Sequence, residues 1–599
     1  MITTETTQNV SPGGAFLISE TTTDRIFTPE ELTDEQHLFA ESTREFAEQY
    51  IYPNLDRIDE HEAGLVESLL DKTAEIGLLG AAVPEAYGGL GVDIKTETAY
   101  TEIIGSTHAF SVSFLAHTGI GTLPILYFGT ETQKQKYLPK LASGELKAAY
   151  CLTEPGSGSD ALAARTKATL SADGTYYLLE GQKMWITNAG FADILTVFAQ
   201  IDGDKFTGFI VDAHSPNIRL GNEEHKMGIK GSSTRQVFFE GVKVPVENVL
   251  GEIGQGHKIA FNVLNIGRYK LAIAVTGGAK ASITKAVQYA NEREQFDKPI
   301  AKFGAIRHKI AEMAVRTFAL ESANYRTAGL LYDFIEHEAK KGTNPTEAKL
   351  HAAEEYAIEC ALLKVFGSEV LDYCVDELVQ VLGGNGFSEE YPAARAYRDS
   401  RINRIFEGTN EINRLLTIDM YLKRAMRGSI DLFTPGMAIQ KELMSVPEFG
   451  DDGDASFILA AEKKAIKQAK KAALMVAGSA AQKYLQRLAT EQEIMMSATD
   501  MLIDIFAAES ALLRVEKMIG IKGETACATY IDVVKVFVSD AMERIHLNGK
   551  HALLRFAEGD EQRVMLMGLK RFTKLPAFDT ISARRRIADV LIEANRYCL

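Results

Sequence analysis

The sequence predicts a mainly helical protein that contains a central β domain and ends in a further helical region. Only 15 of its 599 residues are proline, and this composition permits many long helices. From about residue 149 to 250, β-branched and aromatic runs alternate with Gly and Asp-Gly turns, a pattern typical of strands. Helical spacing of apolar residues returns on both sides, so the β domain is expected to lie between helical domains.

Changes in this pattern divide the chain into six predicted segments. The first helical domain opens with a helix-start signature at Thr28–Glu31. Glycines, prolines and the acidic run Asp451–Asp454 indicate a linker near the end of the bundle. The segments are a loosely ordered N-terminus (1–27), an N-terminal helical domain (28–148), a middle β domain (149–250), a helical bundle domain (251–427), a linker (428–456) and a C-terminal helical extension (457–599).

Composition excludes several classes of protein. The formal charge of −16 argues against nucleic acid as the main partner, because phosphate binding needs a basic face. Five cysteines without a C-x-x-C pair indicate a reduced compartment. The first basic residue is Arg25, which argues against a secretory signal or transit peptide. We expect no apolar stretch of the 18 or so residues that span a bilayer, and no His spacing indicates a metal site, so we expect a cytoplasmic protein without a metal.

Two of four unusual segments lie in the predicted β domain. Ala149–Asp160 leads from a β-type run into a Gly/Ser loop whose N–H groups can hold a phosphate or a ring edge, although an ordinary turn is the alternative. Part of it fits G-x-G-x-x-A, but a strand pattern follows instead of the helix that a dinucleotide fingerprint requires. Gln182–Ala189 holds Trp185, the only Trp. An indole near Thr187 suits a flat heteroaromatic ligand, and a core Trp is the alternative.

The other two segments lie in the predicted bundle. Gln380–Phe387 has three Gly in four positions, which indicates close backbone approach or positive φ where a plain helix C-cap needs one Gly. Arg401–Ile412 places Glu407 after Ile405 and Phe406 and before an expected Thr N-cap. Partial desolvation would raise the pKa of this carboxylate from about 4.3 toward the range of a general base, whereas an exposed surface Glu is the alternative.

Together, in order and content, these segments resemble the acyl-CoA dehydrogenase family. The resemblance spans roughly residues 30–427 and includes Pro84–Gly91, Phe128–Thr130 and Asn291–Phe296. With its extension the chain is most similar to the very-long-chain branch. The resemblance implies the acyl-CoA dehydrogenase fold, with a helical domain, a β-barrel-like middle domain and a four-helix bundle. It also implies FAD between the middle domain and the bundle.

The resemblance further implies residues that bind FAD and the acyl-CoA substrate. Thr153 and Thr187 should hydrogen-bond the isoalloxazine, Trp185 should pack against it, and Ser159 should lie close to the CoA moiety. The expected FAD-binding residues are Tyr150, Leu152, Thr153, Ser159, Trp185, Ile186, Thr187, Arg293, Gln295, Phe296, Phe303, Gln380, Gly383, Gly384, Thr409 and Glu411. Of these, Gln380, Gly383 and Gly384 are expected to come from the neighbouring subunit. The expected substrate-binding residues are Ser159, Asn265, Arg268, Glu407 and Gly408.

By the same resemblance, Glu407 is the catalytic base. It would take the α-proton of the thioester while the β-hydrogen leaves as hydride to the flavin. The enolate would be stabilised by the backbone N–H of Glu407 and the FAD ribityl chain. Some members carry the base on the substrate-contacting helix, where this chain has Gly267. Asp297 stands where many members have Gly, Glu411 where Gln is common and Phe406 where Tyr is frequent, which puts fine geometry in doubt.

The extension carries a separate signal. Five lysines of residues 457–480 fall on one helical face and small apolar residues on the other. A basic amphipathic helix can lie on an anionic membrane, but the apolar face is mostly Ala, so a solvated Lys face on a packed helix is the favoured interpretation. The very-long-chain branch uses its extension for membrane association. The resemblance also implies that the extension covers the tetramer surface of smaller members and leaves a homodimer.

The expected function is therefore FAD-dependent oxidation of fatty acyl-CoA, favouring long chains, to trans-2-enoyl-CoA in fatty-acid β-oxidation. Electrons would pass to an electron-transfer flavoprotein. The alternatives are an acyl-CoA oxidase that uses O2 and a flavin-bound assembly or scaffold protein. An intact Glu407 argues against the second alternative. The protein is expected in the cytoplasm, where it could contact the inner face of the membrane through residues 457–480.

Overall fold

A helical domain opens the fold. The computed structural model describes residues 10–444 and 457–599. The signature at Thr28 does form a capping box, but it caps a single 3-10 turn, and the first α-helix follows after a second box at Thr33. The helices of this domain are α1 (Asp34–Phe46), α2 (Leu55–Asp59), α3 (Leu65–Glu75), α4 (Ile94–Ile104), α5 (Ala109–Leu115), α6 (Leu123–Phe128) and α7 (Glu131–Ala142).

A π-helical stretch, Ala116–Gly121, joins α5 to α6. The continuous helical segment Ala109–Phe128 is long and apolar enough to cross a membrane, so the expectation that the chain holds no such stretch was wrong. The most apolar part of this segment is 83% buried within the fold. It is therefore the core helix of the domain, and its apolar composition follows from burial on nearly all sides.

One eight-stranded sheet occupies the middle of the chain, as predicted. Its strand order is β6-β7-β3-β2-β4-β5-β8, and β1 pairs in parallel with β4. The strands are β1 (Ala148–Cys151), β2 (Lys167–Leu170), β3 (Tyr176–Thr187), β4 (Ile194–Ile201), β5 (Lys205–Asp212), β6 (Ile218–Leu220), β7 (Thr234–Pro245) and β8 (Val249–Leu250). The β3–β7 register shifts between Lys183 and Ile186. A bulge of this kind re-aims side chains, and it lies at Trp185.

Long helices follow the sheet. The pair α8 and α11 forms the most extensive helix–helix packing in the bundle, and α9 packs against both. The elements are α8 (Gly256–Glu292), β9 (Glu294–Gln295), β10 (Lys298–Pro299), α9 (Gly304–Lys340), α10 (Pro345–Glu355), α11 (Ala357–Leu382), α12 (Pro392–Ser400) and α13 (Asn410–Met426). The predicted linker is partly wrong, because α14 (Phe433–Met444) forms within it, and residues 445–456 lie outside the described residues.

The extension is helical, as predicted, and packs on the bundle. Its helices are α15 (Ala460–Tyr484), α16 (Gln492–Lys522), α17 (Ala528–Phe556), α18 (Gly559–Phe572) and α19 (Thr580–Ala594). The Ala-rich face of α15 is buried. Lysines of the opposite face pair with carboxylates of the same chain, in the pairs Lys463–Glu516, Lys467–Glu20, Lys470–Glu509 and Lys471–Glu442. These pairs favour a packed helix over a membrane-binding one.

The N-terminal segment joins the bundle to the extension. Residues 10–27 are not loosely ordered as expected, since Phe16 and Leu17 are each only 5% exposed. The Phe16 ring lies 4.8 Å from that of Phe506 in α16, and the amide of Gly14 donates to Glu359 in α11 at 2.7 Å. An aromatic and aliphatic pair within a Thr- and Gly-rich stretch buries enough apolar area to order it. Residues 1–9 lie outside the described residues.

Candidate functional site

Glu407 lies in a tight backbone turn between two helices. After α12 a 3-10 turn runs from Arg401 to Arg404, and Thr409 then caps α13 by accepting a hydrogen bond from the amide of Ile412 at 3.2 Å. Glu407 and Gly408 have φ values of 58° and 80°. A left-handed Glu costs free energy and persists only where its surroundings enforce it, as is frequent at functional sites. The predicted position of Glu407 at the start of a helix is therefore confirmed.

Three helices hold the carbonyl groups of this turn. Arg268 Nε of α8 donates to the carbonyl of Glu407 at 3.1 Å. Lys364 Nζ of α11 and Asn413 Nδ2 of α13 donate to the carbonyl of Gly408 at 2.7 and 2.8 Å. None of the described residues accepts a hydrogen bond from the amide of Glu407. That N–H group is fixed in place and available to the carbonyl oxygen of a ligand.

The carboxylate of Glu407 is desolvated. Its Oε2 atom is buried and has no hydrogen-bond partner among the described residues. Burial raises the pKa of Glu407 to about 7, although the charges of Arg268 and Lys364 oppose the shift. Lys364 is fully buried, and burial lowers the pKa of its ammonium group to about 7 against the charge of Glu407. A carboxylate with a pKa near neutrality suits proton abstraction.

A pocket opens at this carboxylate. It encloses about 710 Å³ of empty space, part of it at the open mouth. Apolar side chains dominate its wall, and one face of α8 supplies much of it. The lining residues are Ser111, Val112, Leu115, Ala116, Gly119, Ile120, Leu123, Thr187, Val263, Gly267, Lys270, Leu271, Ala274, Asn403, Phe406 and Glu407. The pocket can hold an apolar chain with one end at Glu407.

The predicted flavin-contacting residues of the sheet lie beside this pocket. Trp185 is 54% exposed with φ 60°, while Ile186 is buried and Thr187 lines the pocket. Tyr150 and Leu152 lie at the end of β1, and the carbonyl of Thr153 accepts from the amide of Met184 at 2.9 Å. The alternative of a core Trp is thus excluded, since about half of the Trp185 side chain is exposed and free to meet a ligand.

A buried ion pair positions the loop after β1. Lys183 Nζ lies 2.7 Å from Glu154 Oε1, with side chains 0% and 6% exposed. Glu154 also accepts from the amides of Arg165 and Thr166 at 2.6 and 3.0 Å. Ser159 lies in the exposed part of the same loop. The loop thus has a fixed base and an accessible tip.

The remaining predicted FAD residues form a second, exposed group. Phe296 is 86% exposed, and with Asp297 it forms the two-residue turn of the β9–β10 hairpin, with φ values of 54° and 61°. A left-handed Asp297 accounts for a position where Gly is common. Asn385 donates to the Tyr289 hydroxyl at 3.0 Å, which links this end of α8 to the Gly-rich turn after α11. The exposed residues here are Arg293, Gln295, Phe296, Gln380, Gly383 and Gly384, with Phe303 partly buried.

The residues present fit FAD. The exposed indole of Trp185 beside the pocket provides a flat apolar wall. The hydroxyl of Tyr150 is buried without a hydrogen-bond partner among the described residues. A Cβ atom on Gly383 or Gly384 would meet no atom within 4 Å, so both glycines face open space. Among the described residues, no hydrogen bond or ion pair joins the exposed group to Glu407 within one chain, as expected if that group serves a neighbouring subunit.

Two of the predicted substrate-binding residues, Asn265 and Arg268 of α8, lie next to each other. Asn265 and Arg268 are 8% and 6% exposed, and Arg268 Nη1 donates to Asn265 Oδ1 at 2.9 Å. Arg268 therefore acts on the Glu407 turn, and Asn265 acts on Arg268. Glu411, the predicted FAD residue of α13, is exposed in its first turn. The sequence reasoning missed Lys364, although a lone cation in the apolar run Cys360–Phe366 was a signal for it.

Comparison with known proteins gives the family. Four acyl-CoA dehydrogenase profiles match, for the N-terminal domain (33–145), the middle domain (149–242) and two C-terminal domains (254–421 and 468–571). Over 98% of its length the chain is 49% identical to a probable acyl-CoA dehydrogenase of Bacillus subtilis (strain 168), of which 99% is covered. Over 68% of its length it is 40% identical to the human very long-chain specific mitochondrial enzyme, of which 61% is covered.

A solved structure agrees with these matches. A crystal structure of an acyl-CoA dehydrogenase complexed with FAD from Bacillus anthracis superposes with a TM-score of 0.95 and 47% identity, covering 98% of this chain and all of that one. A helical domain, a sheet and a bundle around a pocket with a buried carboxylate define a flavoprotein dehydrogenase fold. The chain belongs to the acyl-CoA dehydrogenase family, and the predicted class and fold are confirmed.

Proposed function

We propose that this acyl-CoA dehydrogenase uses FAD to oxidise long-chain fatty acyl-CoA to trans-2-enoyl-CoA, with Glu407 as the base. The observation that carries the proposal is the desolvated carboxylate of Glu407 at the inner wall of an apolar pocket beside Trp185. Trp185, Ile186 and Thr187 would hold the flavin ring, with Tyr150, Leu152, Thr153 and Thr409 nearby. Bound FAD supplies the acceptor for the β-hydrogen, which leaves the substrate as hydride.

The protein groups perform the other half of the reaction. The amide of Glu407 holds the thioester carbonyl oxygen and stabilises the charge that develops on it when the α-proton leaves. The Oε2 atom of Glu407 accepts that proton, because burial has raised its pKa toward the range where proton transfer is efficient. The substrate chain fills the apolar pocket and excludes water from the carboxylate.

The depth of the pocket supports a preference for long chains. A second cavity, with about 1720 Å³ of empty space of which part is open to solvent, shares Ser111, Val112, Ala274 and Asn403 with the pocket. Along α8 it continues from Ala274 to Ala281 and beyond, and Gly267 to Ala281 is about 21 Å at 1.5 Å per residue. One lipid chain spans about 15 Å, half of a bilayer core. The combined groove is therefore long enough for a long acyl chain.

Anaerobic titration tests the reaction and the chain length together. Acyl-CoAs from butyryl to stearoyl are added to the FAD-bound protein, and the loss of flavin absorbance is followed. Palmitoyl-CoA should bleach the flavin faster than butyryl-CoA. Glu407→Gln should retain the flavin and lose the bleaching, because its amide keeps the shape but cannot take the proton. If no acyl-CoA bleaches the wild-type flavin, or if Glu407→Gln bleaches as fast, the proposal is wrong.

The proposed electron acceptor is an electron-transfer flavoprotein. A closed site that excludes water also restricts access of O2 to the reduced cofactor. Turnover with palmitoyl-CoA should therefore reduce a purified electron-transfer flavoprotein in the absence of O2 and yield little hydrogen peroxide in air. One peroxide per substrate consumed would instead identify an oxidase.

A further inference from the structure

The acyl pocket has a second neighbour besides the long cavity. A narrow cavity, in which only about 20 Å³ admits a water-sized sphere, lies between α4, α6, α8, α9 and α10. It shares Leu123 and Lys270 with the acyl pocket. Its other lining is mostly apolar and comprises Ala82, Ile94, Leu126, Tyr127, Ile266, Leu331, Ile335 and Ala352, together with the charged side chains Glu97 and Lys349. Two cavities therefore adjoin the acyl pocket at a fork: one continues along α8, and the other lies to the side between these five helices.

A buried ion pair stands at this fork. Lys270 Nζ lies 2.6 Å from Glu97 Oε1, and the two side chains are 5% and 10% exposed. Removing two charges from water costs several kcal/mol per ion, and replacement by apolar residues is often neutral or stabilising. Stability alone therefore does not account for an ion pair in this largely apolar wall. Its position between the acyl pocket and the side cavity indicates that the pair separates the two spaces.

We propose that the Lys270–Glu97 pair is a partition that closes the side cavity and makes the enzyme selective for unbranched acyl chains. This inference rests on the proposed function. Lys270 is one turn beyond Gly267 on α8, so the partition acts on carbons close to the reacting end of the chain. A straight chain passes the pair and continues toward Ala274. A methyl branch directed at Lys270 would need to displace a paired ammonium group or approach it without solvation.

Two double variants separate the space that the pair fills from its charge. Glu97→Ala with Lys270→Ala removes both charges and opens the side cavity, while Glu97→Leu with Lys270→Leu removes the charges and keeps the volume. Removing both charges together leaves neither member of the pair as an unpaired ion, and the Ala and Leu variants change the surroundings of Lys349, whose buried ammonium group faces both residues, in the same way. The matched control is Lys309→Ala with Glu377→Ala, which removes another partly buried pair between bundle helices, α9 and α11, away from both cavities.

The readout is kcat/KM for palmitoyl-CoA and for its 4-methyl and 6-methyl derivatives. The ratio of branched to straight substrate should rise at least tenfold in the Ala pair and stay within about twofold of wild type in the Leu pair and the control. If the Ala pair fails to retain FAD, Glu97→Ala with Lys270→Leu opens half of the partition and should raise the ratio by a smaller factor. An additional Ala352→Leu substitution should refill the cavity and lower the ratio again.

Two results would overturn the partition. One is a wild-type enzyme that oxidises branched and straight chains equally well, and the other is an Ala pair whose ratio stays at the wild-type value. Either result counts against the partition only when the wild-type enzyme oxidises palmitoyl-CoA. A wild-type protein that no acyl-CoA reduces would refute the proposed function instead, so the two failures are distinguishable.

Discussion

The carboxylate of Glu407 lies against the backbone of Gly267 on α8. A Cβ atom placed on Gly267 would stand 2.7 Å from Oε2 and 3.0 Å from Cδ of Glu407. Real Cβ atoms do not approach other atoms this closely, so the carboxylate can hold its position only because residue 267 has no side chain. The glycine and the glutamate thus form one structural unit, although 140 residues separate them in the sequence.

Gly267→Ala should therefore displace the carboxylate of Glu407. We expect the rate of flavin reduction by palmitoyl-CoA to fall by at least tenfold, while FAD content stays near wild type because Gly267 is not one of the predicted FAD-binding residues. Ala in a helix interior is favoured over Gly by about 1 kcal/mol, so a general loss of stability cannot explain the effect. Gly520→Ala in α16, where the added Cβ meets nothing within 4 Å, is the control and should retain full activity.

The rate should also depend on pH through Glu407. Its pKa is raised to about 7 by burial, and the base must be ionised to accept a proton. The value of kcat/KM should therefore fall as the pH decreases below about 7. Lys364→Met removes a positive charge that stabilises the carboxylate, which should raise the pKa of Glu407 further and move the acidic limb to higher pH. Lys364→Arg keeps the charge and should restore the limb; a profile that ignores residue 364 would contradict this account.

Much of this fold could be predicted from the sequence, because local patterns specify it. Strand composition located the sheet, and a Thr at position 409 marked the start of α13. The N-terminal segment was misjudged because its order comes from contacts with Glu359 and Phe506, which lie hundreds of residues away. The helix within the predicted linker has a similar origin, since Gly and Pro at its start outweighed an apolar face that only the extension buries.

The candidate site likewise combines features that local sequence patterns predict with features that depend on the folded chain. The position of Glu407 before a helix followed from local residues, and its chemical role followed from the family resemblance. The groups that hold its turn did not. Lys364 stands out in the sequence as a lone cation in an apolar run, but the carbonyl groups that Lys364 and Asn413 meet are set only by the folded chain. The Lys270–Glu97 partition is equally hidden, since its members belong to α8 and α4 and meet only in the folded chain.

Blocking the groove should shorten the preferred acyl chain. Ala274 lies where the acyl pocket meets the long cavity, and Ala281 lies two turns further along α8. Ala274→Phe should retain activity with butyryl-CoA and lose at least tenfold with palmitoyl-CoA. Ala281→Phe should lose activity only with longer chains, because its ring blocks the groove about 10 Å further on. A length profile measured by flavin reduction should show two different cut-offs, and identical profiles would place the chain elsewhere.

The lysines of α15 allow a test of why the basic stripe exists. Lys470 is 8% exposed and pairs with Glu509, which also accepts from Arg326 of α9 at 2.9 Å. Lys470→Met should lower the free energy of unfolding by about 3 kcal/mol, since a buried carboxylate loses a partner. Lys463→Met, on the same helix, breaks a more exposed pair and should cost less than about 1 kcal/mol.

Vesicle binding supplies the second readout for the stripe. If the stripe serves packing, neither variant should change the small fraction of protein that sediments with vesicles containing anionic lipid. Each lysine that faced a membrane would contribute about 1 kcal/mol of attraction, so a membrane helix would lose about fivefold in vesicle affinity with either substitution. Equal stability of the two variants combined with such a loss would assign the stripe to the membrane. Unequal stability without the loss would assign it to the ion pairs that join α15 to α16 and to the N-terminal segment.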